Sequence, residues 1–451
     1  MRGFQRYGTG LVLAVIGLGA ATPVWSQAAQ DGWSLSGSFR ARYEALEGQS
    51  RAGFSASDDL FSLRTQILGE YRGEGWRIGG EIYDSRAYGA NRGSAISTSE
   101  VNALELVQAY AATSLAEPFG AGTSLALQAG RFTLNLGSRR LVAADDYRNT
   151  TNGYTGLRAD LRWTGNISAT IFYTLPQQRR PDDAASIRNN EIAFDAEGFD
   201  QQLWGGLVSL PGPLGAALEM GYVGFAETDT PGRPTRNRNL HNLDLRLIRN
   251  PAANVFDYEA EIIYQTGSIR RSLAATAPTQ GVSAWFAHVD MGYTFAGEMK
   301  PRLSLEYDYA SGGTTGGTYG RFDTLFGMRR ADLAPSGIYA QIGRANIATP
   351  GVRFEMELPP TVDAFVAYRP MWLADPHDAF STSGVTDGSG ASGDFAGHQI
   401  EGRIRWWIMP QVLRAELNGA WIGKGRFLNT APNAPRTGDT GYVSLALSAF
   451  F

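Results

Sequence analysis

The chain has 451 residues and no cysteine, and its formal net charge is -4. Lack of cysteine excludes disulfides, thiol catalysis and thiolate metal sites, and the near balance of charge argues against a nucleic-acid partner. Hydrophobic residues make up 43% of the chain, too many for intrinsic disorder, yet the mean hydropathy is slightly negative at -0.22. Together with 19 Tyr, 22 Phe and 10 Trp, this composition is typical of a membrane β-barrel, where apolar residues alternate with polar ones.

The amino terminus has the pattern of a secretory signal. Two arginines precede an apolar run, Leu11–Ala21, and small residues follow just before Gln27. The run is shorter than the roughly 20 apolar residues that a membrane helix needs. We therefore expect residues 1–26 to be removed and residues 27–451 to form one large domain.

The first predicted strand covers Trp33–Ala45. Trp33, Phe39 and Tyr43 fall on one face, whereas Arg42 and other polar residues fall on the opposite face. The same alternation recurs in later segments, for example Leu60–Arg72, Tyr154–Trp163, Pro301–Tyr309 and Gln399–Ile408. A soluble sheet rarely keeps such a pattern throughout, so we predict an all-β antiparallel transmembrane barrel with a polar lumen.

The connections between predicted strands alternate between short turns and long polar loops. Eight short turns and nine loops connect about 18 strands, an even number that places both termini in the periplasm. Residues 336–346 are assigned to a loop, because a strand there would make the number odd. The glycine-rich stretches Ser311–Gly320 and Asp387–Gly393 are expected to be flexible loop tips.

The carboxyl terminus alternates from Tyr442 and stops on the aromatic Phe451. Such an ending resembles the signal by which the barrel-assembly machinery recognises outer-membrane proteins. Both ends of the chain thus predict a location in the outer membrane of a Gram-negative bacterium.

Candidate catalytic or metal-binding groups are sparse. His288 and Asp290 share a strand face and could form an acid–base dyad, but a hydrogen-bonded lumen histidine is the favoured interpretation. No serine lies where it would suggest a lipase nucleophile. Asp387, Asp394 and the pair at 145–146 could bind calcium, but without a fixed ligand spacing. We expect no enzyme activity, no metal and no cofactor.

An arginine-rich segment between two predicted strands is the strongest functional candidate. It spans residues 130–158 and contains a set of charged side chains, namely Arg131, Arg139, Arg140, Arg148 and Arg158 with Asp145 and Asp146. As a loop folded into the lumen, it would attract carboxylates and set selectivity. A structural Arg–Asp network that stiffens an outer loop is the alternative.

The sequence resembles the alginate-export family of outer-membrane barrels. The similarity lies in the segment just described and in the later motifs Arg321–Gly327, Asn346–Gly351 and Trp372–Ala374. The resemblance implies an 18-stranded monomeric barrel that exports an anionic polysaccharide, such as alginate, through an arginine-rich lumen.

The predicted lumen wall carries arginines and carboxylates in similar numbers, with Arg131 and Arg158 assigned to the inward face. Selectivity for anions would then depend on the loop arginines. The favoured function is an outer-membrane channel for polar or anionic solutes, either an exporter of anionic polysaccharide or a porin for small sugars or organic acids. A barrel whose loops act as an adhesin or enzyme is the other class, with no visible catalytic set to support it.

Overall fold

The computed structural model describes residues 31–145, 147–328, 332–335, 337–358 and 361–451. The expected signal sequence, residues 1–26, and Asp146 of the candidate site lie outside these described residues. The chain forms a closed antiparallel barrel of 18 strands, as predicted. A further pair of two-residue strands lies within one loop.

The strands run as follows along the chain: β1 (Gly32–Glu47), β2 (Asp58–Gly73), β3 (Trp76–Tyr88), β4 (Asn102–Ala116), β5 (Ser124–Phe132), β6 (Tyr154–Trp163), β7 (Ile167–Pro176), β8 (Gln201–Pro211), β9 (Ala217–Glu227), β10 (Asn239–Arg249), β11 (Phe256–Arg270), β12 (Thr279–Thr294), β13 (Arg302–Ala310), β14 (Thr314–Thr315), β15 (Thr318–Tyr319), β16 (Ile347–Leu358), β17 (Val362–Trp372), β18 (Phe395–Met409), β19 (Leu413–Lys424) and β20 (Thr440–Phe450). Two short helices, α1 (Ala184–Arg188) and α2 (Arg426–Thr430), lie in loops. No helix among the described residues is long and apolar enough to cross a bilayer.

The barrel closes where the first strand pairs with the last. Tyr43 of β1 lies opposite Leu445 of β20, and the backbones of Gly37 and Phe451 exchange two hydrogen bonds of 2.9 and 3.1 Å. Tyr43 and Leu445 point outward and are exposed, whereas Arg42, which precedes Tyr43 on β1, points inward and is buried. The predicted polar-inward alternation is therefore confirmed at the seam.

The long and short connections follow the predicted order. Residues 336–346 contain no strand in their described part, as expected. The expectation of a flexible tip at Ser311–Gly320 is wrong in part, because β14 and β15 form a small hairpin there. Tyr319 of this hairpin pairs with Val282 of β12, which extends the wall outward.

Two outer loops, L3 (133–153) and L7 (311–346), fold into the barrel. Their apolar side chains join inward-facing wall residues in one hydrophobic core near the outer end of the strands. Phe326 of L7 packs edge-to-face on Tyr154 and Phe225, and Phe322 packs on Phe286, with ring centroids 5.6–5.8 Å apart. Each buried phenylalanine contributes about 1.5–3 kcal/mol. L3 and L7 therefore help to form a packed apolar core in the outer part of the barrel.

Candidate functional site

Arg140, near the tip of L3, is the centre of a charged cluster inside the barrel. Its guanidinium lies 2.5 Å from Glu259 and also contacts Glu261, both on β11, and it lies 2.7 Å from Asp332 of L7. The side chain is buried, at 2% exposed. Burial alone would lower the pKa of Arg140, but the three carboxylates outweigh it and raise that pKa well above its usual value. Arg140 therefore joins L3, L7 and the wall as a permanent cation.

Asp332 is the acidic counterpart on L7. Its carboxylate accepts hydrogen bonds from Arg140 and from Arg344 Nε at 2.7 Å, and its backbone carbonyl accepts one from Arg369 of β17 at 2.8 Å. Burial alone would raise the pKa of Asp332, but Arg140 and Arg344 hold it well below the usual range. The ionised carboxylate of Asp332 thus anchors L7 to the cluster.

The wall extends the cluster on both sides. On β10, Arg246 pairs with Glu219 at 2.8 Å and with Glu259 at 2.9 Å. On β17, Arg369 pairs with Glu306 at 3.1 Å. Buried charges need such partners, because desolvation is costly. Ion pairs consequently connect β9–β11 to β13 and β17 by way of the two loops.

Arg148 of L3 contacts side chains within the same loop. Arg148 lies 3.2 Å from Asp145 and donates to the amide oxygen of Asn152 at 2.6 Å. Arg179, which sequence reasoning missed, donates to the same amide oxygen at 2.6 Å. Burial, and next the charge of Arg148, lower the pKa of Arg179 to about 9. Arg139 is half-buried and forms no ion pair with the described residues.

The inward assignment of Arg131 is wrong. Arg131 pairs with Thr155 of β6 and so shares the outward face with Leu127, which is 40% exposed. Its guanidinium binds Glu105 at 2.8 Å and Glu197 of loop L4 (177–200) at 2.7 Å. It therefore fastens L4 to the rim above the short strand β5. Arg158 does face inward and pairs with Asp160 at 2.8 Å.

The periplasmic half of the lumen holds arginines that share carboxylates. Asp363 receives both Arg403 at 2.9 Å and Arg405 at 2.8 Å, and these two side chains are 20% and 18% exposed. Glu70 likewise receives Arg72 and Arg77, and it also accepts a hydrogen bond from Tyr110. Arg162 continues the Arg158 column and is exposed. At each of these two places one carboxylate contacts two guanidinium groups that are partly exposed to water.

His288 contacts Asp308 rather than Asp290, the partner suggested by the sequence. Nδ1 of His288 lies 2.7 Å from Asp308 of β13, which is opposite it in register, whereas Asp290 pairs with Arg302. His288 is buried, at 5% exposed. Asp387 binds Ser389 and the backbone of Ser392 within its own turn. No three metal-ligating side chains gather among the described residues.

The comparisons with known proteins agree with this architecture. A family model described as alginate export matches residues 32–440. The chain belongs to the alginate-export family. No curated protein matches the sequence at a significant level. As a member of this family with a closed barrel, the chain is an outer-membrane channel, as predicted.

Solved structures with the same fold come from Pseudomonas aeruginosa. OccD3 (OpdP) shares 14% identity with a TM-score of 0.54, covering 93% of this chain and 91% of its own. OccK8 (OprE) shares 12% identity with a TM-score of 0.57, covering 93% and 98%. OpdK, solved with vanillate, shares 11% identity with a TM-score of 0.54, again covering 93% and 98%. Identities this low establish the fold alone.

Proposed function

We propose that this channel passes solutes that carry carboxylates, such as uronate saccharides or small organic acids. The observation that supports the proposal is the sharing of Asp363 by Arg403 and Arg405, repeated at Glu70, in the part of the lumen that water reaches. The guanidinium groups of these arginines are partly exposed to the lumen, so a passing carboxylate can reach them. Arginine holds a carboxylate in fork geometry, which gives it both affinity and orientation.

Two further facts are consistent with a carboxylate solute. The family is described by alginate export, and alginate is an anionic polysaccharide. The related fold of OpdK has been solved with vanillate, an aromatic carboxylate. The same arginines would serve both export of a polymer and uptake of a small acid. The size of the solute is therefore the property to measure after its charge.

The test is the reversal potential of the purified barrel in planar bilayers under a salt gradient. The double variant Arg403→Gln, Arg405→Gln should shift the potential towards cations. Its matched control, Arg92→Gln with Arg436→Gln, removes two charges from outer loops and should shift it little, because salt screens charges beyond about 8–10 Å. Equal shifts of the reversal potential in both variants would refute anion selection by Arg403 and Arg405. The protein would then be a porin for neutral sugars, the second candidate, which is favoured by the similar numbers of arginines and carboxylates on the lumen wall.

The L3 arginines are the second part of the proposal. Arg139 has no ion pair among the described residues, so Arg139→Ala should lower anion preference with little effect on folding. Arg140 and Arg148 are engaged by carboxylates, so their replacement should act mainly on loop docking. We expect uronate block of the ion current to weaken in Arg139→Ala and to persist in Arg148→Ala.

We also propose the route by which the channel reaches its place. Residues 1–26 would be cleaved during secretion, leaving 27–451 as the mature barrel. The barrel-assembly machinery would recognise the strand that ends on Phe451, whose backbone hydrogen-bonds to Gly37 at the seam. The barrel would act as a monomer. Mass spectrometry of the mature protein tests the cleavage, and native mass in detergent tests the monomer.

A further inference from the structure

Phe365 on β17 contacts two arginines inside the lumen. The guanidinium carbon of Arg353 lies 3.7 Å from the centroid of its ring, and that of Arg403 lies 5.1 Å from it. These are cation–π contacts, in which the electron-rich face of the ring attracts the cation. Each arginine also has a carboxylate partner, since Arg353 binds Glu355 at 2.6 Å and Arg403 binds Asp363 at 2.9 Å. The ring is therefore an additional neighbour of two cations whose charges carboxylates already compensate.

The same arrangement recurs closer to the short connection between β18 and β19. The guanidinium carbon of Arg414 lies 5.3 Å from the ring centroid of Trp407 and 5.3 Å from that of Phe450, and the two rings are 5.5 Å apart. Trp407 and Arg414 lie opposite each other in the β18–β19 ladder. We call both groups together the aromatic–arginine strip, which runs across β16–β20 and consists of Arg353, Phe365, Arg403, Trp407, Arg414 and Phe450.

The three rings of the strip face the lumen. Phe365 and Trp407 alternate with Val366 and Trp406, which are each 48% exposed on the outer surface. Phe365, Trp407 and Phe450 are only partly buried, and they belong to neither hydrophobic core that the described residues form. Their inward position keeps them out of the aromatic girdle at the lipid interface. Part of each ring is consequently presented to the lumen, beside an arginine.

The arginines of β6 have different neighbours. Arg158 lies opposite Gln128 on β5 and Phe172 on β7, and Phe172 is buried, at 3% exposed. Arg162 lies opposite Ser168 on β7. An anion that meets the arginines of β6 thus finds them beside polar groups, whereas an anion at the aromatic–arginine strip finds cations beside aromatic faces.

We propose that the aromatic–arginine strip binds carboxylates that are carried on a six-membered ring, and that it makes the channel prefer them to open-chain acids of equal charge. The carboxylate contacts the guanidinium groups of the strip, and the ring of the solute stacks on the exposed part of Phe365, Trp407 or Phe450. The inference rests on the proposed function, since it takes the solute to be a carboxylate. It adds that the strip recognises the body of the solute as well as its charge.

Two kinds of solute have this chemistry. A benzoate presents a second aromatic ring, and aromatic pairs prefer offset or edge-to-face packing at centroid distances of about 4.5–7 Å. A uronate presents the C–H groups of a pyranose, whose partial positive charge suits the negative face of an aromatic ring. A stacked aromatic pair gains about two- to tenfold in affinity beyond the area that it buries. We expect cyclic acids to gain this much over open-chain acids of the same charge and similar size.

The test is block of the ion current through the purified barrel in planar bilayers. Each cyclic acid is compared with an open-chain acid of similar size, benzoate with hexanoate and glucuronate with gluconate. The half-blocking concentration of at least one cyclic acid should be about two- to tenfold lower than that of its counterpart. An advantage of glucuronate identifies a saccharide solute, and an advantage of benzoate alone identifies an aromatic acid. Equal block within both pairs, or no block at all, would overturn the proposal.

Variants distinguish binding by the rings from support of the arginines by the rings. Phe365→Leu with Trp407→Leu keeps apolar volume but removes two aromatic faces, so the advantage of the cyclic acid should disappear while block by its open-chain counterpart persists. Trp406→Leu, on the lipid-facing side of the same strand, is the matched control and should change neither. If the double variant assembles poorly, Phe365→Leu alone should lose part of the advantage. Equal weakening of block by both acids would mean that the rings only hold the arginines, and the proposal would then be wrong.

The proposed function is tested separately on the same preparations. The reversal potential reports anion preference, which does not require a ring in the anion. Anion preference without an advantage of cyclic acids would refute the stacking site and leave the proposed function standing. An unchanged reversal potential in Arg403→Gln, Arg405→Gln would instead refute the proposed function.

Discussion

Replacing Arg140 should release L3 and L7 while leaving the barrel wall intact. The side chain is 2% exposed and serves Glu259, Glu261 and Asp332. Arg140→Met keeps most of the volume but leaves these buried carboxylates without their shared cation. Removing one partner of a buried ion pair costs about 3–5 kcal/mol. The barrel ladder does not use this side chain, so the cost falls on loop docking.

The size of the effect follows from that free energy. A loss of 3–5 kcal/mol corresponds to an increase of roughly a hundredfold to a thousandfold or more in the population of undocked loops. Arg140→Lys retains the charge but not the five fixed donors, so its cost should be smaller, about 1.5–3 kcal/mol. Adding Glu259→Gln and Glu261→Gln to Arg140→Met should recover part of the protection, because the stranded charges are then gone.

Hydrogen–deuterium exchange resolved by peptide is the appropriate assay. Peptides from L3 (133–153) and L7 (311–346) should exchange faster in Arg140→Met, with Arg140→Lys intermediate. Heat-modified gel mobility, which reports the closed wall, should match the wild type. The reasoning is refuted if the two loops keep wild-type protection in Arg140→Met, since apolar packing alone would then hold them.

Three other predictions concern separate parts of the chain. Deleting Phe451 should lower the amount of assembled barrel without changing synthesis, whereas Phe451→Tyr should assemble normally; surface labelling measures both. Burial and the charge of Glu105 raise the pKa of Asp195 to about 7. Asp195 therefore binds a proton more readily in the folded than in the unfolded protein, so the protection of residues 190–197 against hydrogen exchange should fall as the pH rises from 5 to 8. Asp195→Asn should abolish this pH dependence. Trp33, 77% exposed beside the periplasmic edge, should be quenched by brominated lipids, and unquenched fluorescence would remove it from the aromatic girdle.

The wall could be predicted from the sequence because its signal is local. Alternation assigns Tyr43 to lipid and Arg42 to the lumen without knowledge of the neighbouring strand, and turn residues mark where the chain reverses. Arg131 was assigned inward because of its charge, although it falls on the same face of β5 as the outward-facing Leu127. There the side chain contacts Glu197 of L4 rather than the lumen, and this contact with a distant loop is what the sequence of β5 does not show.

The interior depends on pairings that sequence patterns do not carry. His288 meets Asp308 because β12 and β13 align at one register, although Asp290 is closer along the chain. Arg140 meets Asp332 across 192 positions, by way of two loops that no periodicity describes. A charged residue in a polar loop looks the same whether it faces water or a buried partner, so Asp332 and Arg344 gave no signal.

Arginine content therefore does not measure anion affinity in this barrel. Arg140 and Arg246 are buried, and each lies among carboxylates that compensate for the desolvation of its charge. Their field on a passing solute is largely cancelled. Arg403 and Arg405 remain in contact with water and share one carboxylate, so their charge extends into the lumen. Anion selectivity should therefore depend on these accessible arginines. Whether a solute reaches them should depend on whether the buried cluster keeps L3 and L7 in place.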